Sequence, residues 1–301
     1  MNEMDSFDRR PKPLVAGQAP VSLPFVKMEG AGNDYIYIEE FNNTLENKAA
    51  LAVRLSDRNF GIGGDGLVLM GPSDKADFRM QIFNADGSEA EMCGNASRCV
   101  GKYLYEHGFT SKKEIVLETA SGIKILHLQA KNGVARSVRV NMGQPVLAPS
   151  VLPMNATGDS FIHQSVEVAG QVWHGTAVSM GNPHLVIPVP DVMSLDLACI
   201  GPQFENNPLF PRRVNTEFVE VLAKDKVKMR VWERGSGETL ACGTGACATL
   251  VACALNNLTG RAATVCLRGG DLFVEWDESG TVFMTGPATE VFSGTFVCST
   301  I

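Results

Sequence analysis

The chain has 301 residues, of which 45% are apolar and 20% charged, and its net charge is −7. This is the composition of a globular protein with enough chain for one large domain or two medium-sized ones. There is no basic block, and no apolar run reaches the roughly 18 residues of a membrane span, so neither nucleic acid nor a membrane is an expected partner.

The first half of the chain alternates short apolar strands with turn sequences. Residues 1–22 show little periodicity and predict a flexible N-terminal extension. Folded structure is predicted to begin near Pro24, and the apolar spacing over residues 47–56 predicts a helix. The predicted strands cover residues 24–28, 35–38, 67–70, 77–83, 114–119, 123–128 and 134–140.

The composition shifts to proline and small residues over 142–153, which we take as the domain boundary. The second half then repeats the plan of the first, with strands around one cysteine-preceded helix. Its predicted strands cover residues 165–168, 171–179, 185–189, 218–221, 227–232, 263–267, 272–276 and 281–284.

Two cysteines each stand before a glycine and a helical apolar pattern, at Cys93-Gly94 and at Cys242-Gly243. The N-terminus of a helix carries unpaired N–H groups and a positive dipole end. Such a place lowers the pKa of a thiol and binds a carboxylate. The two cysteines lie half a chain apart, which predicts a duplicated protein with the site in the cleft between two domains.

The other six cysteines are predicted to be small buried apolar residues. They are Cys99, Cys199, Cys247, Cys253, Cys266 and Cys298. The chain contains no Cys-x-x-Cys pair, so a zinc ribbon or thioredoxin-like site is not expected. A reducing cytoplasm suits a chain of this length with free cysteines.

Gly61, Gly63 and Gly66 match the spacing of a dinucleotide-binding loop. That loop must follow a strand and open a helix, whereas here the glycines lead into a predicted strand. We therefore expect no dinucleotide at this position.

Paired thiols suggest acid–base chemistry on one carbon. One sulfur, as thiolate, removes an α-proton, and the other, as thiol, returns a proton to the opposite face. The helix ends hold the substrate carboxylate and stabilise the charge that develops on it. This chemistry needs no cofactor and no metal.

From about Phe25 to its C-terminus, the chain resembles the diaminopimelate epimerase family. Nine blocks carry the resemblance, in the family's order. They are GAGND at 30–34, GIGGDG at 61–66, FNADGSE at 83–89, MCGN at 92–95, RC at 98–99, GNPH at 181–184, VN at 214–215, ERGSGET at 233–239 and ACGTGA at 241–246.

The resemblance implies an α/β (α+β) fold of two pseudo-symmetric domains, each a curled, mostly antiparallel sheet around a central helix. The domains would cover 23–143 with about 288–301, and 144–287. It also implies a cofactor-independent, cytoplasmic epimerase that interconverts LL- and meso-diaminopimelate, an isomerase of lysine biosynthesis.

The same resemblance assigns residue roles. Cys93 and Cys242 would be catalytic, with Cys93 deprotonating the LL isomer and Cys242 the meso isomer, and His184 and Glu233 would tune the thiols. The implied substrate contacts are Asn33, Asn84, Gly94, Asn95, Asn182, Asn215, Glu233, Arg234, Gly243 and Thr244. The chain departs from the family at Glu29, where histidine is common, and at Ala96-Ser97, where Gly-Ala is common.

The residue types alone leave other interpretations open. Turn chemistry explains Asn33 and Asn84, a loop role explains His184, and a surface ion pair explains Arg234. A proline or hydroxyproline racemase also pairs two cysteines, but it typically has histidine where Asn95 stands. A thiol redox or amino-acid-binding protein without turnover is the alternative from another class. Whether the chain is a monomer or a homodimer stays open.

Overall fold

The computed structural model of the protein describes residues 21–42, 44–90 and 92–298. The strands are β1 Val21–Gly30, β2 Asn33–Glu39, β3 Gly66–Gly71, β4 Phe78–Asn84, β5 Glu89–Ala90, β6 Glu114–Thr119, β7 Gly122–Lys131, β8 Val134–Gly143, β9 Gln164–Val168, β10 Gln171–Ser179, β11 Pro183–Pro188, β12 Asn215–Ala223, β13 Lys226–Glu233, β14 Gly237–Thr239, β15 Ala262–Leu267, β16 Gly270–Trp276, β17 Val282–Gly286 and β18 Thr289–Cys298. The helices are α1 Lys48–Ser56, α2 Gly94–Glu106, α3 Leu197–Glu205 and α4 Gly243–Leu255.

Two compact units make up the chain, one running to Ile125 and resuming at Ala288, the other covering Leu126–Pro287. In the first unit β1 pairs antiparallel with both β2 and β18. β2 is parallel to β3, β3 and β4 are antiparallel, and β4 is flanked by antiparallel β5 and parallel β6. Helix α2 packs against β1, β2 and β18.

The second unit shows the same sequence of pairings. β10 and β11 are antiparallel, β11 is parallel to β12, and β12 and β13 are antiparallel. β13 is flanked by antiparallel β14 and parallel β15, after which β16, β17 and β8 follow antiparallel. Helix α4 contacts most of these strands, and its Ala-, Cys- and Leu-rich sequence is apolar on all sides, as a fully buried helix requires.

This repeat gives the paired strands of one unit equivalent positions in the other. Gly66 begins β3 as Asn215 begins β12, and Asn84 ends β4 as Glu233 ends β13. The parallel pairing aligns Tyr35 with Gly66 in one unit and His184 with Asn215 in the other. The predicted fold class, with a mostly antiparallel sheet and a central helix in each half, is confirmed.

The structure contains elements that the sequence patterns did not predict. Helix α3 was missed because Gly201 and Pro202 interrupt its pattern. Asp196 caps it by accepting the N–H of Cys199 at 3.2 Å. A side chain at position 201 would come within 2.2 Å of the Trp232 ring, so the glycine allows α3 to pack closely against β13. The short strands β5 and β14, and the terminal strand β18, were also missed.

Strand β1 begins earlier than predicted, because Val21 and Ser22 already pair with β18. The rest of the predicted extension, residues 1–20, lies outside the described residues. Residues 134–143, assigned from sequence to the first domain, form β8 and pair with β17. The exact domain limits stay a prediction. Among the helices of the described chain, none combines the length and apolar character that a membrane crossing needs.

Candidate active site

Cys93 is the N-cap residue of α2. Its backbone is extended, with φ −138°, and its sulfur accepts the N–H of Ala96 at 3.5 Å. The thiol donates to Oδ1 of Asn33 at 3.4 Å. Gly94 and Asn95 form the first turn of the helix, and their role as a carboxylate cradle stays a prediction. Oδ1 of Asn95 is buried and has no hydrogen-bond partner among the described residues.

A carboxylate holds Asn33 in place. Nδ2 of Asn33 donates to Oδ2 of Asp65 at 2.7 Å, which leaves the amide oxygen directed at Cys93. Asp65 also accepts from Arg58 at 3.0 Å. Burial first, and then the charge of Asp34, raise the pKa of the Asp65 carboxyl. The sequence did not single out Asp65, although it lies inside the GIGGDG block.

The glycines of that block have a packing role. A Cβ at Gly66 would lie 2.1 Å from the carbonyl oxygen of Phe83, so only glycine allows β3 and β4 to approach here.

Asn84, at the end of β4, donates from Nδ2 to Oγ of Ser88 at 3.0 Å. Its described contact is therefore within the turn, and its substrate contact stays a prediction.

Cys242 is the N-cap residue of α4, and its surroundings differ from those of Cys93. Its sulfur accepts the N–H of Gly245 at 3.3 Å and lies 3.5 Å from Oγ1 of Thr244. The residue is 5% exposed. Burial, and then the carboxylates of Glu233 and Glu217, raise the pKa of this thiol well above its ordinary value. The expectation of a lowered thiol pKa at the helix end is wrong for Cys242.

Glu233 lies directly beside Cys242, and the two side chains share a hydrogen bond. Oγ1 of Thr239 donates to Oε1 of Glu233. Burial raises the pKa of the Glu233 carboxyl; the bonds from Thr239 and Cys242 oppose the rise, and the charge of Glu217 adds to it. The structure thus brings the predicted residues Glu233 and Cys242 together.

His184 is fully buried on β11 and contacts a carboxylate that the sequence analysis missed. Its Nδ1 lies 2.7 Å from Oε1 of Glu217, which is also fully buried. Its Nε2 lies 2.9 Å from the side-chain amide of Asn182. Glu217 is two residues after Asn215 in one strand, so side-chain alternation places both on the same face. This two-residue period of a strand was the sequence signal that could have pointed from Asn215 to Glu217.

A hydrogen bond from the backbone N–H of Arg234 to the side chain of Asn215 joins these two residues. The Asn215 amide donates to the carbonyl of Pro183 at 3.1 Å and accepts the N–H of Arg234 at 2.9 Å. The Arg234 side chain is exposed and donates to the carbonyl of Arg212 at 3.2 Å. Asn215 therefore fixes the loops that carry Asn182 and Arg234.

One group of side chains has the donor types of a metal site. Donor atoms of His184, Glu217 and Cys242 all lie within 4.8 Å of one another, and imidazole, carboxylate and thiolate are zinc ligands. The imidazole and the carboxylate are already hydrogen-bonded to each other, so a metal would have to displace that bond. The expectation of no metal and no cofactor stays a prediction.

The predicted burial of the remaining cysteines is confirmed for Cys99, Cys247 and Cys253. It is wrong for Cys199, which is exposed in the first turn of α3, and for Cys266, which is half-buried. The side chain of Cys298 lies outside those the structure describes.

Comparison with known proteins gives a consistent result. The profile of the family described as Diaminopimelate epimerase matches residues 25–148 and 176–291. A diaminopimelate epimerase of Acetivibrio thermocellus is 56% identical over 273 residues, which cover 90% of this chain and 98% of that protein. One of Methanococcus maripaludis is 51% identical over 273 residues, covering 90% and 99%.

Solved structures share the fold at low identity. A hydroxyproline epimerase from Agrobacterium vitis superposes with a TM-score of 0.64 at 14% identity, covering 92% of this chain and 91% of that one. A phenazine biosynthesis protein of the PhzF family from Bacillus anthracis gives 0.66 at 16%, covering 92% and 99%. At this identity the likeness concerns the fold alone.

Proposed function

The chain belongs to the diaminopimelate epimerase family, and on that premise we propose that Cys93 and Cys242 invert one α-carbon of diaminopimelate. The protein is an isomerase that interconverts the LL and meso forms. The observation that carries the residue assignment is the repeat. Both units place a cysteine at the same position, as the N-cap of the helix that follows the fourth and fifth strands of the repeat.

The reaction moves one proton off the α-carbon and another onto it. A thiolate takes the α-proton, the electron pair stays on the carbon and spreads into the adjacent carboxylate, and the second thiol donates its proton to the other face. The first sulfur ends as thiol and the second as thiolate. The backbone N–H groups of Gly94-Asn95 and Gly243-Thr244 receive the carboxylate, whose charge grows in the transition state.

The two sulfurs take their roles from their surroundings. Cys242 lies among two carboxylates that favour its protonated form, which suits it to donate when the LL isomer is bound. We assign Cys93 the role of base in that direction: as thiolate it gives up its bond to the Asn33 oxygen and keeps the N–H of Ala96 as a donor to its sulfur. In the meso direction the roles exchange.

The non-reacting end of the substrate carries an ammonium and a carboxylate. We assign the distal carboxylate to Arg234, because an exposed guanidinium can form two parallel bonds to it. The amides of Asn33, Asn84 and Asn182 supply donors and acceptors for the ammonium and carboxylate groups. Asn215 and His184 support this end by holding the Asn182 and Arg234 loops.

We further propose that the enzyme works without cofactor or metal, in the cytoplasm, on a small-molecule substrate. Eight cysteines and a thiol chemistry fit a reducing compartment. A homodimer is the oligomer to test first, by light scattering of the purified protein.

Proton exchange tests the function directly. The protein is incubated in D2O separately with LL-diaminopimelate, meso-diaminopimelate, L-proline and trans-4-hydroxy-L-proline. We expect α-deuterium and the second isomer to appear only with the diaminopimelates. Exchange confined to proline or hydroxyproline would replace the proposal with a racemase of the same fold. Exchange in none of them would favour a binding or redox protein.

A further inference from the structure

Glu217 is a buried carboxylate with one strong partner. Its Oε1 lies 2.7 Å from Nδ1 of His184, and neither side chain is exposed. A carboxylate only accepts hydrogen bonds, so the contact places the ring proton on Nδ1. The other nitrogen, Nε2, lies 2.9 Å from Oδ1 of Asn182. With the proton on Nδ1, a neutral ring accepts at Nε2, so this contact requires the Asn182 amide to be turned with its NH2 group towards the ring. Glu217 thereby sets the ring that touches a proposed substrate-binding residue.

The same carboxylate lies against the catalytic sulfur. A Cβ built at Gly245 would be 2.6 Å from Oε1 of Glu217 and 3.2 Å from Sγ of Cys242. One point in the first turn of α4 is therefore adjacent to both groups, and only glycine fits there. The second carboxylate oxygen, Oε2, is buried without a hydrogen-bond partner in the described residues. Its charge is thus little shielded from the thiol.

The repeat shows that this arrangement belongs to one unit. Glu217 is the third residue of β12, and the third residue of β3 is Val68. The counterpart of His184 is Tyr35. The strand position that carries the Glu217 carboxylate in the second unit is therefore occupied by an apolar residue in the first unit.

We propose that Glu217 is a positioning residue of the epimerase: it fixes the Nδ1 proton of His184 and keeps the Cys242 sulfur protonated. The inference rests on the proposed function for its effect on turnover. The titratable groups facing Cys242 are His184 from β11, Glu217 from β12 and Glu233 from β13, with the Thr244 hydroxyl from α4. Removing the Glu217 charge leaves Glu233 as the only carboxylate in that group.

The main test replaces Glu217 by glutamine, which keeps the shape and an acceptor oxygen but removes the charge. Cys93 and Cys242 are alkylated with iodoacetamide across a pH series, and each is followed by peptide mass spectrometry. We expect the midpoint for Cys242 to fall by about one pH unit in E217Q, while that for Cys93 does not move. We also expect kcat to fall about 10- to 100-fold with KM within about threefold.

Glu40→Gln is the matched control, because Glu40 is a buried glutamate of the other unit, paired with Lys48 at 2.8 Å. It should lower stability and leave both alkylation curves and kcat unchanged. Glu217→Asp keeps the charge and withdraws it from His184. It should preserve the Cys242 midpoint and still lower kcat, and it serves as the main test if E217Q does not fold.

The positioning role of Glu217 and the proposed function can be contradicted separately. Wild-type alkylation curves and wild-type kcat in E217Q, or wild-type kcat in E217D, would overturn the positioning role. The alkylation experiment needs no substrate. Suppose that the Cys242 curve shifts in E217Q but the wild-type protein exchanges no diaminopimelate proton. The proposed function would then be wrong, and the effect of Glu217 on the thiol would stand.

Discussion

The two cysteine-capped helices begin alike and are surrounded differently. Each sulfur accepts an N–H from the first turn of its helix, at 3.5 Å for Cys93 and 3.3 Å for Cys242. Cys93 then meets the amide of Asn33, whereas Cys242 meets two carboxylates and an imidazole. The comparison shows that the helix end does not by itself decide the protonation of its capping thiol.

The helix terminus favours the Cys242 thiolate and the neighbouring carboxylates oppose it, and the sizes of the two interactions show which is larger. A helix terminus stabilises a charge by about 0.3–1 kcal/mol, and by about 2 kcal/mol in favourable buried positions. Two like charges about 4 Å apart repel by about 4 kcal/mol at an effective dielectric constant of about 20. Burial of the thiol, followed by the repulsion from Glu233 and Glu217, therefore outweighs the dipole, which matches the raised pKa of Cys242.

The largest expected effect comes from removing either sulfur. Cys93→Ala and Cys242→Ala should each lower kcat by at least about 10³-fold, because each direction needs one thiolate and one thiol. Cys199→Ser, at an exposed position on α3, is the control and should stay within about twofold. Substantial epimerisation by either alanine variant would remove that cysteine from the mechanism.

Glu233→Gln should have the next largest effect, a fall in kcat of about 10²-fold. It also carries a pH signature in stability. The folded carboxyl has a raised pKa, so the folded state holds this proton above the ordinary value of 4.5. Wild-type stability therefore declines as pH rises from 4.5 through the folded pKa, and Glu233→Gln should remove that decline. Urea unfolding across pH measures it; identical slopes in both proteins would contradict the burial-raised pKa.

Asp65→Ala tests the other helix. Without its carboxylate the Asn33 amide can turn away from Cys93, and we expect kcat to fall about tenfold. Alkylation of Cys242 should not change. Asp77→Asn, which removes a surface pair with Lys112 in the same unit, is the control and should leave kcat unchanged. Equal kcat in both variants would show that Asp65 only supports the loop.

The smallest expected effect concerns Glu238, five residues after Glu233. The pKa of Glu238 is lowered, whereas that of Glu233 is raised. A bond from Arg230 holds the pKa of Glu238 below its ordinary value of 4.5. Its contribution is therefore present above pH 4.5 and lost as pH falls through the folded pKa. Glu238→Gln should cost about 1 kcal/mol at neutral pH and nothing in strong acid, with kcat preserved. A cost that persists in acid would mean lost packing instead of lost charge.

Sequence patterns predicted most strands and the three helices whose periodicity is uninterrupted. Helix α3 was not predicted because Gly201 and Pro202 are helix breakers, and the close approach of Gly201 to Trp232 is visible only in the folded chain. Strand β18 escaped because its partner β1 lies at the other end of the chain, and pairing over such a distance leaves no local signal.

Within the site, motif spacing identified the residues that interact through their position in the chain, such as a cysteine before a helix. It did not identify Glu217 or Asp65, which contact site residues that are distant from them in sequence. Asp65 lies inside the GIGGDG block, and Glu217 follows Asn215 on the same strand face. Both signals are local in sequence, and neither identifies the residue that is contacted, Asn33 or His184.

The sequence by itself determined the two cysteine-capped helices, the repeated order of elements and the membership of the family, because these are properties of consecutive residues. The tertiary structure decided how the two thiols differ. Their protonation depends on carboxylates from neighbouring strands, and buried charge interacts strongly with whatever the fold places beside it. Cys93 and Cys242 are equivalent in sequence pattern, and only the folded surroundings of Cys242 raise the pKa of its thiol and favour the protonated form.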